Sequence, residues 1–262
     1  MTYRAALITG ASSGIGEAFA RALPSETDLL LTGRQELPLE KLVAELSRAG
    51  RRVTYTVADL ACHEGLNRVI TAAEEFDIDL LINNAGLGYF GEIAVNPSKA
   101  EAEMVLVNVV ATTALSSALL PGMLRRAEML GQRAGIIIVA SVVSFFPLPW
   151  MTTYAATKAF DLMYALGLAE ELRGRPVDVL ALCPGSTASR FAERAGSPTR
   201  LALLGHTSAQ VASAGLAALG RRHVLVVGLG NRVITMIGRV LPPTLFARIV
   251  GLFTRRARRP YS

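Results

Sequence analysis

Residues 5–16 read Ala-Ala-Leu-Ile-Thr-Gly-Ala-Ser-Ser-Gly-Ile-Gly, a short apolar run that passes directly into a glycine-rich string. A helical stretch, residues 17–23, follows the last glycine. Glycines placed in this way let the backbone turn tightly and approach a pyrophosphate, whose charge then lies at the helix N-terminus. An ordinary strand-to-helix turn is the alternative, but the position after a first strand favours phosphate binding. A P-loop is excluded because no Lys-Ser/Thr pair follows Gly16.

Further apolar runs of strand length recur along the chain, with helical stretches such as 39–49 and 152–173 between them. Most are continuous rather than alternating in polarity, which is typical of strands buried on both faces. The seven predicted strands are residues 5–9, 28–32, 53–57, 79–83, 135–140, 177–182 and 224–227. This alternation predicts an α/β fold, a doubly wound parallel sheet of about seven strands with helices on both faces.

Small, polar and special-backbone residues follow the predicted strands at their carboxyl ends. In an open parallel sheet these ends meet at one edge, where ligands bind. In chain order the residues are Gly10 to Gly16, Gly33-Arg34, Asp59-Leu60, Asn83-Asn-Ala-Gly86, Ser141 and Pro184-Gly185. The sequence therefore predicts a binding site that six loops build at this edge.

The length of 262 residues is enough for one large domain with a buried core. No uninterrupted apolar run reaches the roughly 18 to 20 residues of a membrane-spanning helix. The first predicted strand begins too early to leave room for a signal peptide. Cys62 and Cys183 are far apart and the three histidines are scattered, so neither a disulfide framework nor a metal site is expected. These features predict a cytoplasmic protein.

The net charge of +6 is concentrated at the end of the chain. Residues 194–262 hold 11 arginines and no acidic residue. Amphipathic helices are predicted at 231–241 and 243–253, so residues 229–262 form a basic extension to a domain of residues 1–228. Such helices bind anionic membrane surfaces, or their apolar faces pack on the domain or on a neighbouring subunit. Nucleic acid is disfavoured as a partner because no recognition motif accompanies the charge.

The end of the second predicted strand indicates which dinucleotide the edge binds. Folds that bind NAD usually carry Asp or Glu there, which accepts hydrogen bonds from the adenosine ribose. Here the position holds Gly33-Arg34, and a guanidinium binds a 2′-phosphate that a carboxylate would repel. Arg34 therefore favours NADP(H), with a solvated arginine as the alternative. Asp59 is placed to contact the adenine amino group or, alternatively, to form a turn.

Tyr154 and Lys158 stand four residues apart in a predicted helix and so share one face. A phenol has an ordinary pKa of about 10, and a nearby ammonium favours its ionised form. The lysine is informative because the chain has only three lysines against 24 arginines. Ser141 ends a buried strand 13 residues before Tyr154 and can hydrogen-bond a carbonyl oxygen, although an ordinary strand-end serine is the alternative.

Together these features resemble the short-chain dehydrogenase/reductase family, in the branch of about 250 residues that folds as one Rossmann-like domain. The resemblance covers residues 4 to about 190. It rests on motifs in the family's order and spacing, namely Thr9-Gly-x-x-x-Gly-x-Gly16, Asn83-Asn-Ala-Gly86, Asn108, Ser141, Tyr154-x-x-x-Lys158 and Pro184-Gly185.

The resemblance implies a role for each matching position. Tyr154 would exchange a proton with the substrate oxygen, which Ser141 would polarise. Lys158 would bind the nicotinamide ribose and lower the pKa of Tyr154, and Asn108 would hold a water of the proton relay. The implied cofactor contacts besides Tyr154 and Lys158 are Gly10, Ser12, Ser13, Gly14, Ile15, Gly16, Arg34, Asp59, Leu60, Asn83, Ala85, Gly86, Pro184, Gly185, Thr187 and Ser189. A homodimer or homotetramer through residues 100–120 and 152–172 is also implied.

These expectations predict an NADP(H)-dependent carbonyl reductase that moves a hydride between nicotinamide and a carbonyl or alcohol carbon. In the family, the substrate site is lined by residues 87–90, 143–146 and 150–151 and by a loop at about 188–206. Their apolar and aromatic side chains indicate a lipophilic substrate, unless they serve only in packing. A non-catalytic NADP(H)-binding sensor or scaffold on the same fold is the alternative, which the complete catalytic tetrad disfavours.

Overall fold

The computed structural model describes residues 2–47, 50–188, 191, 195–196 and 205–256, with residues 188 and 253–256 described by their backbone alone. The strands are β1 (Ala5–Thr9), β2 (Asp28–Gly33), β3 (Val53–Val57), β4 (Leu80–Asn83), β5 (Ala134–Val139), β6 (Val177–Cys183), β7 (Thr187–Ala188), β8 (His206–Thr207) and β9 (Val224–Val226). All seven predicted strands are present with bounds shifted by at most one residue. The two-residue strands β7 and β8 are too short to give a sequence pattern.

The main sheet is parallel throughout, with the strand order β3-β2-β1-β4-β5-β6-β9. The chain runs outward from β1 to β3 and then returns to the other side of β1 with β4. The loops after β1 and β4 therefore diverge, and a crevice for a ligand opens between them. The prediction of a doubly wound parallel sheet is confirmed.

Helices cover both faces of the sheet. Their bounds are α1 (Gly14–Ala22), α2 (Glu36–Leu46), α3 (His63–Glu75), α4 (Ser98–Val105), α5 (Thr112–Leu130), α6 (Thr152–Glu171), α7 (Ser208–Ala218), α8 (Leu229–Val240) and α9 (Pro243–Arg256). One core cluster joins the sheet to α3, α5 and α6, and the other joins it to α1, α2 and α7. Neighbouring residues of one strand enter opposite clusters, as Leu7 and Ile8 do, which explains the continuous apolar runs.

The longest helical run, Ser98–Leu130, contains a π-helical segment, Leu106–Ala111, between α4 and α5. By length and composition this run could cross a membrane, but 44% of its most apolar window is buried inside the fold. It packs against α3 and β5, as the core helix of a globular domain does. The π-helical segment places Asn108 in the interior, and such segments occur frequently at functional sites.

The C-terminal helices pack on the segment that follows β5. The buried residues of α8 are Asn231, Thr235 and Gly238, and Gly238 lies against the ring of Phe146. That ring also contacts Phe246 of α9 in a tilted arrangement, with 4.4 Å between the ring centroids. Packing of an apolar face on the domain was one of the alternatives, and in the described residues α8 differs from it. A small and polar face is buried because only a residue without a side chain fits over the aromatic ring.

Candidate active site

The loop after β1 has the backbone that its glycines predict. Gly10 has a φ of 66°, and Gly14 has a φ of 63°, values that favour glycine. A Cβ at Gly16 would lie 2.3 Å from the carbonyl oxygen of Gly10, so α1 approaches β1 too closely for any side chain there. Ser13, the N-cap of α1, is extended and makes no side-chain capping bond. The first N–H groups of α1 are therefore available to an anion.

The loop after β4 is fastened to this glycine-rich loop by hydrogen bonds. The backbone N–H groups of Asn84 and Ala85 both donate to Thr9 Oγ1, at 2.9 Å. The Asn84 amide donates to the carbonyl oxygen of Thr9 at 2.8 Å. Asn84 was not predicted as a site residue, although its neighbours were. The side chain of Asn83 instead donates to Ser116 Oγ at 3.0 Å inside the fold, so a cofactor contact of Asn83 would come from its backbone.

The ends of β2 and β3 provide the other side of the crevice. Arg34 is exposed, with no hydrogen bond or ion pair to any residue in the described ranges. A Cβ at Gly33 would lie 3.3 Å from Ser12 Oγ, so the two loops are in close contact. Asp59 forms the turn that was the alternative prediction, since its Oδ1 accepts from the N–H of Ala61 at 3.0 Å. The side chain of Leu60 is buried in the core.

Ser141, Tyr154 and Lys158 meet at the carboxyl end of β5. Ser141 caps a 3₁₀ helix, Val142–Phe145, and the Ser144 hydroxyl accepts from its backbone N–H at 3.1 Å. This capping fixes the Ser141 side chain, whose hydroxyl hydrogen-bonds the Tyr154 phenol. The third residue follows one turn later on α6, where Lys158 is 5% exposed. The structure therefore brings together the three residues that the sequence pattern singled out.

Burial raises the pKa of the Tyr154 phenol, while the charge of Lys158 and the Ser141 hydrogen bond lower it without reversing the rise. The resemblance implied that Lys158 lowers this pKa, and the direction of its effect agrees. Burial has the larger effect, however, and the pKa lies above its ordinary value. Tyr154 is therefore protonated at neutral pH, in the form that donates a proton to a substrate oxygen.

The ammonium of Lys158 has two partners inside the fold. It donates to the carbonyl oxygen of Val139 at 2.8 Å and to Oδ2 of Asp161 at 2.8 Å. Asp161 lies three residues after Lys158 on α6 and is 1% exposed. It was not predicted as a site residue, although its spacing from Lys158 was a signal that could have found it.

Asn108 occupies a central position between α6 and the loop after β4. Its Oδ1 accepts from the N–H of Leu87 at 2.8 Å, and its Nδ2 donates to the carbonyl of Leu87 and to Thr157 Oγ1. A Cβ at Gly86 would lie 3.5 Å from both Asn108 Oδ1 and Lys158 Nζ, so these residues adjoin one another. The side-chain amide of Asn108 is already hydrogen-bonded, and its role in holding a water stays a prediction.

The loop after β6 is held from two sides. Thr187 Oγ1 donates to the carbonyl of Gly185 at 3.2 Å, and β7 pairs with β8 through Thr187 and His206. A Cβ at Gly185 would lie 2.3 Å from the Asn231 amide of α8, so this helix forms the wall behind the loop. Pro184 is buried beside them. The remaining predicted contact, Ser189, lies outside the described residues.

The predicted substrate side of the site is aromatic. The ring of Phe191 lies 5.3 Å from that of Tyr154, centroid to centroid, and a Cβ at Gly88 would collide with it. Phe191 was not singled out, although it belongs to the predicted substrate loop. Phe145 lies under the guanidinium of Arg239 at 4.5 Å, and Phe146 contacts α9. Phe145 and Phe146 therefore serve in packing, which was the alternative to a role in the substrate site.

The sequence of this chain is similar to those of known dehydrogenases and reductases. The family model described as short chain dehydrogenase matches residues 4–199. A very-long-chain 3-oxoacyl-CoA reductase of Phaeosphaeria nodorum is 35% identical over 182 residues, which cover 66% of this chain and 52% of that protein. The chain thus spans about half the length of that relative. Dehydrogenase/reductase SDR family member 7B of Xenopus laevis is 30% identical over 94% of this chain and 80% of that protein.

Solved structures show the same architecture over nearly the whole chain. A short-chain dehydrogenase from Sphingobium yanoikuyae in complex with NADPH has a TM-score of 0.76 and 29% identity, and the match covers 98% of this chain and 97% of that one. A short-chain dehydrogenase/reductase from Burkholderia phymatum in complex with NAD has a TM-score of 0.78 and 25% identity, and covers 90% and 92%. Similar structures therefore bind either nicotinamide cofactor.

Proposed function

Because this chain belongs to the short-chain dehydrogenase/reductase family of oxidoreductases, we propose that it is an NADP(H)-dependent carbonyl reductase. The observation that supports this proposal is the contact of Ser141, Tyr154 and Lys158 at the carboxyl end of β5. Reduction of a carbonyl oxygen to a hydroxyl requires a proton donor and stabilisation of the developing negative charge. The protonated phenol can supply the proton, and the fixed hydroxyl and the buried ammonium can stabilise the charge. No observation favours the non-catalytic alternative.

The three side chains act at the substrate oxygen. When bound, a nicotinamide cofactor would be the source of the hydride that reduces the carbonyl carbon. Tyr154 donates its phenolic proton to the oxygen, and the Ser141 hydroxyl orients that oxygen by a hydrogen bond. Lys158 stabilises the phenolate that remains, because its charge lowers the pKa of Tyr154. In alcohol oxidation each proton moves in the opposite direction.

The residues at the sheet edge fit a dinucleotide with a 2′-phosphate. A Cβ at Gly16 would collide with the Gly10 carbonyl and one at Gly10 would collide with Ala85, so both positions lack side chains and a pyrophosphate can approach the backbone. Arg34 is exposed beside Ser12 and Gly33, with its guanidinium free of ion pairs to the part of the chain that the structure describes. These features support NADP(H), with Arg34 holding the phosphate that distinguishes it from NAD.

The proposed substrate is a lipophilic ketone, aldehyde or alcohol. Phe191 covers Tyr154, and residues 87–90 are partly exposed in front of it, so the approach to the phenol is apolar. The relative from Phaeosphaeria nodorum is named for a very-long-chain acyl substrate, which agrees with an apolar site.

A panel of carbonyl compounds of increasing chain length, each assayed with NADPH and with NADH, tests the proposed reaction. We expect NADPH oxidation to increase as the apolar part of the substrate grows, since each buried methylene contributes about 0.8 kcal/mol. Binding of NADPH without turnover of any compound would contradict the enzyme proposal and support a sensor. A preference for short polar carbonyls would contradict the lipophilic substrate.

We also propose a homodimer or homotetramer formed through α4, the π-helical segment and α6. Exposed apolar side chains on these elements, Val105, Leu106, Val110 and Met163, support this interface. Light scattering of the purified protein should give the mass of two or four chains, and a monomer at micromolar concentration would contradict it.

The outer face of the C-terminal helices supports contact with a membrane surface. Large apolar side chains are exposed along α8 and α9, namely Leu229, Val233, Ile234, Met236, Ile237, Val240, Leu245, Ile249 and Leu252. The charged side chains beside them are arginines, as residues 194–262 contain no acidic residue. Arg221, Arg222 and Arg232 also line an open cleft of about 420 Å³ at the base of α8.

We propose that the protein is cytoplasmic and that this apolar face, edged by arginines, binds anionic membrane surfaces reversibly. A second copy on the same face would bring like charges together, whereas lipid phosphates neutralise them. The apolar part of α9, Pro243–Leu252, is too short to cross a bilayer and would lie in its surface.

Sedimentation with vesicles tests the membrane proposal. The protein should sediment with phosphatidylglycerol-containing vesicles at low salt, much less with purely zwitterionic vesicles, and less again at high salt. Replacing Met236 and Val240 by Ser should reduce binding about 10-fold, because both side chains are exposed on the proposed face. Serine at Met129 and Leu130, an equally exposed apolar pair at the end of α5, is the matched control. Equal losses in the two variants, or no sedimentation, would contradict the proposal.

A further inference from the structure

The catalytic lysine has an acidic partner that the proposed mechanism does not use. Asp161 Oδ2 accepts a hydrogen bond from Lys158 Nζ at 2.8 Å, and the side chains are 1% and 7% exposed. Each member of a buried ion pair pays a desolvation penalty, so removing one partner leaves an uncompensated buried charge. The other carboxylate oxygen, Oδ1, has no hydrogen-bond partner within the described part of the chain. The carboxylate is therefore directed at this lysine alone.

The hydrogen bonds fix where the remaining proton of the ammonium points. An ammonium has three N–H donors. Two of them are bound, one by Asp161 on α6 and one by the carbonyl oxygen of Val139 on β5. Because these acceptors lie on two different elements, they hold Nζ against the sheet edge. The third N–H remains for the ligand side, where Gly86 and Tyr154 lie.

We propose that Asp161 is a positioning residue, whose carboxylate holds the Lys158 ammonium in place and keeps it charged beside the Tyr154 phenol. This inference rests on the proposed oxidoreductase function. The Asp161 carboxylate also explains how a charged lysine is kept in the interior, where an ammonium without a partner would lose its proton. Burial lowers the pKa of Lys158, but the attraction of Asp161 and Tyr154 outweighs this effect and raises the pKa.

The other groups around the pair do not replace Asp161. On β6, burial raises the pKa of the Cys183 thiol to about 12, so the thiol is neutral at physiological pH. Arg239 of α8 acts on Cys183 and adds positive charge on that side. Ser141 supplies a neutral hydrogen bond to the phenol. Asp161 is thus the one negative charge among the groups that act on Lys158 in the described ranges, apart from an ionised Tyr154 or Cys183.

The experiment compares Asp161→Asn with the wild type by NMR and by kinetics. The chain has three lysines, and Lys41 and Lys99 are exposed, so labelled lysine allows the Lys158 signal to be followed directly. In Asp161→Asn we expect Lys158 to lose its proton at a lower pH than in the wild type. Because this titration needs no substrate, it tests the role of Asp161 even if the proposed reaction is wrong.

The kinetic measurement separates positioning from a structural role. For alcohol oxidation we expect kcat to fall about 10- to 100-fold in Asp161→Asn and the pH of half-maximal kcat to rise by about one unit. Asp161 by its own charge raises the pKa of Tyr154, so a shift to lower pH, or none, would overturn the proposal. Glu170→Gln is the matched control, since Glu170 lies on the same helix as Asp161 and forms an exposed i, i+3 ion pair with Arg173, just beyond the end of α6. If Asp161→Asn does not fold, Asp161→Ser serves the same comparison.

Discussion

Replacing Tyr154 by Phe should abolish turnover while leaving NADPH binding within about two-fold of the wild type. The substitution removes one oxygen atom, which hydrogen-bonds Ser141 and lies beside the charge of Lys158. The substrate oxygen then has no proton donor, and a positioned acid of this kind contributes about 10²- to 10⁴-fold to the rate. The rate should be measured with the best substrate of the carbonyl panel, and binding by NADPH fluorescence.

The matched control for Tyr154→Phe is Tyr164→Phe on the same helix. Tyr164 stacks on Phe160 at 5.6 Å and lies more than two turns from Tyr154. We expect Tyr164→Phe to retain nearly full kcat and to lower the unfolding temperature slightly, because it removes the hydroxyl that hydrogen-bonds Ser116. Substantial turnover in Tyr154→Phe, within ten-fold of the wild type, would show that another group donates the proton and would exclude the proposed mechanism.

Replacing Arg34 by Ala should raise KM for NADPH about 10- to 100-fold and leave KM for NADH nearly unchanged. The expected loss corresponds to one charge-assisted hydrogen bond with a phosphate, about 1.5–3 kcal/mol. The stability of the fold should be unchanged, because Arg34 is exposed and makes no ion pair with any residue that the structure describes. Steady-state kinetics with both cofactors measure the change in preference.

Salt dependence and a second arginine distinguish specific binding from a general effect of charge. Arg125→Ala removes an exposed arginine of α5 and should leave both KM values unchanged. The KM for NADPH of the wild type should rise with ionic strength more steeply than that of Arg34→Ala. A wild-type enzyme that prefers NADH, or an Arg34→Ala enzyme that loses affinity for both cofactors equally, would contradict the assignment of Arg34.

The sheet was predictable from the sequence because its strands are buried on both faces. Strand residues such as Leu7 and Ile8 enter opposite core clusters, and this burial requires an apolar residue at each position. The glycine-rich loop was predictable for a related reason, since the contact of Gly16 with Gly10 allows no side chain. Local requirements of this kind are visible in the sequence itself.

The parts that sequence did not predict depend on which elements meet in space. Tyr154 and Lys158 share a helix face and could be paired by spacing, whereas the burial of Asp161 depends on β5 lying beneath α6. Which side of α8 is buried was also unpredictable. That side includes Gly238, which packs on the ring of Phe146, a residue 92 positions earlier in the chain. Similarly, the hydrogen bonds of Asn108 with Leu87 and Thr157 form only where the loop after β4 and helix α6 meet.

Asn231 brings the C-terminal extension against the Gly185 loop of the proposed cofactor site. One side of α8 places Asn231 against Gly185, and its opposite side is exposed to solvent. A ligand that binds the outer side of α8 only while Asn231 packs against Gly185 would stabilise that packing. It would thereby also stabilise the conformation of the Gly185 loop. Thermodynamic linkage then requires the reverse effect of equal size, so that a bound dinucleotide strengthens the affinity of the outer face. Under the two proposals together, dinucleotide binding at the sheet edge and membrane binding by the outer side of α8 would strengthen each other.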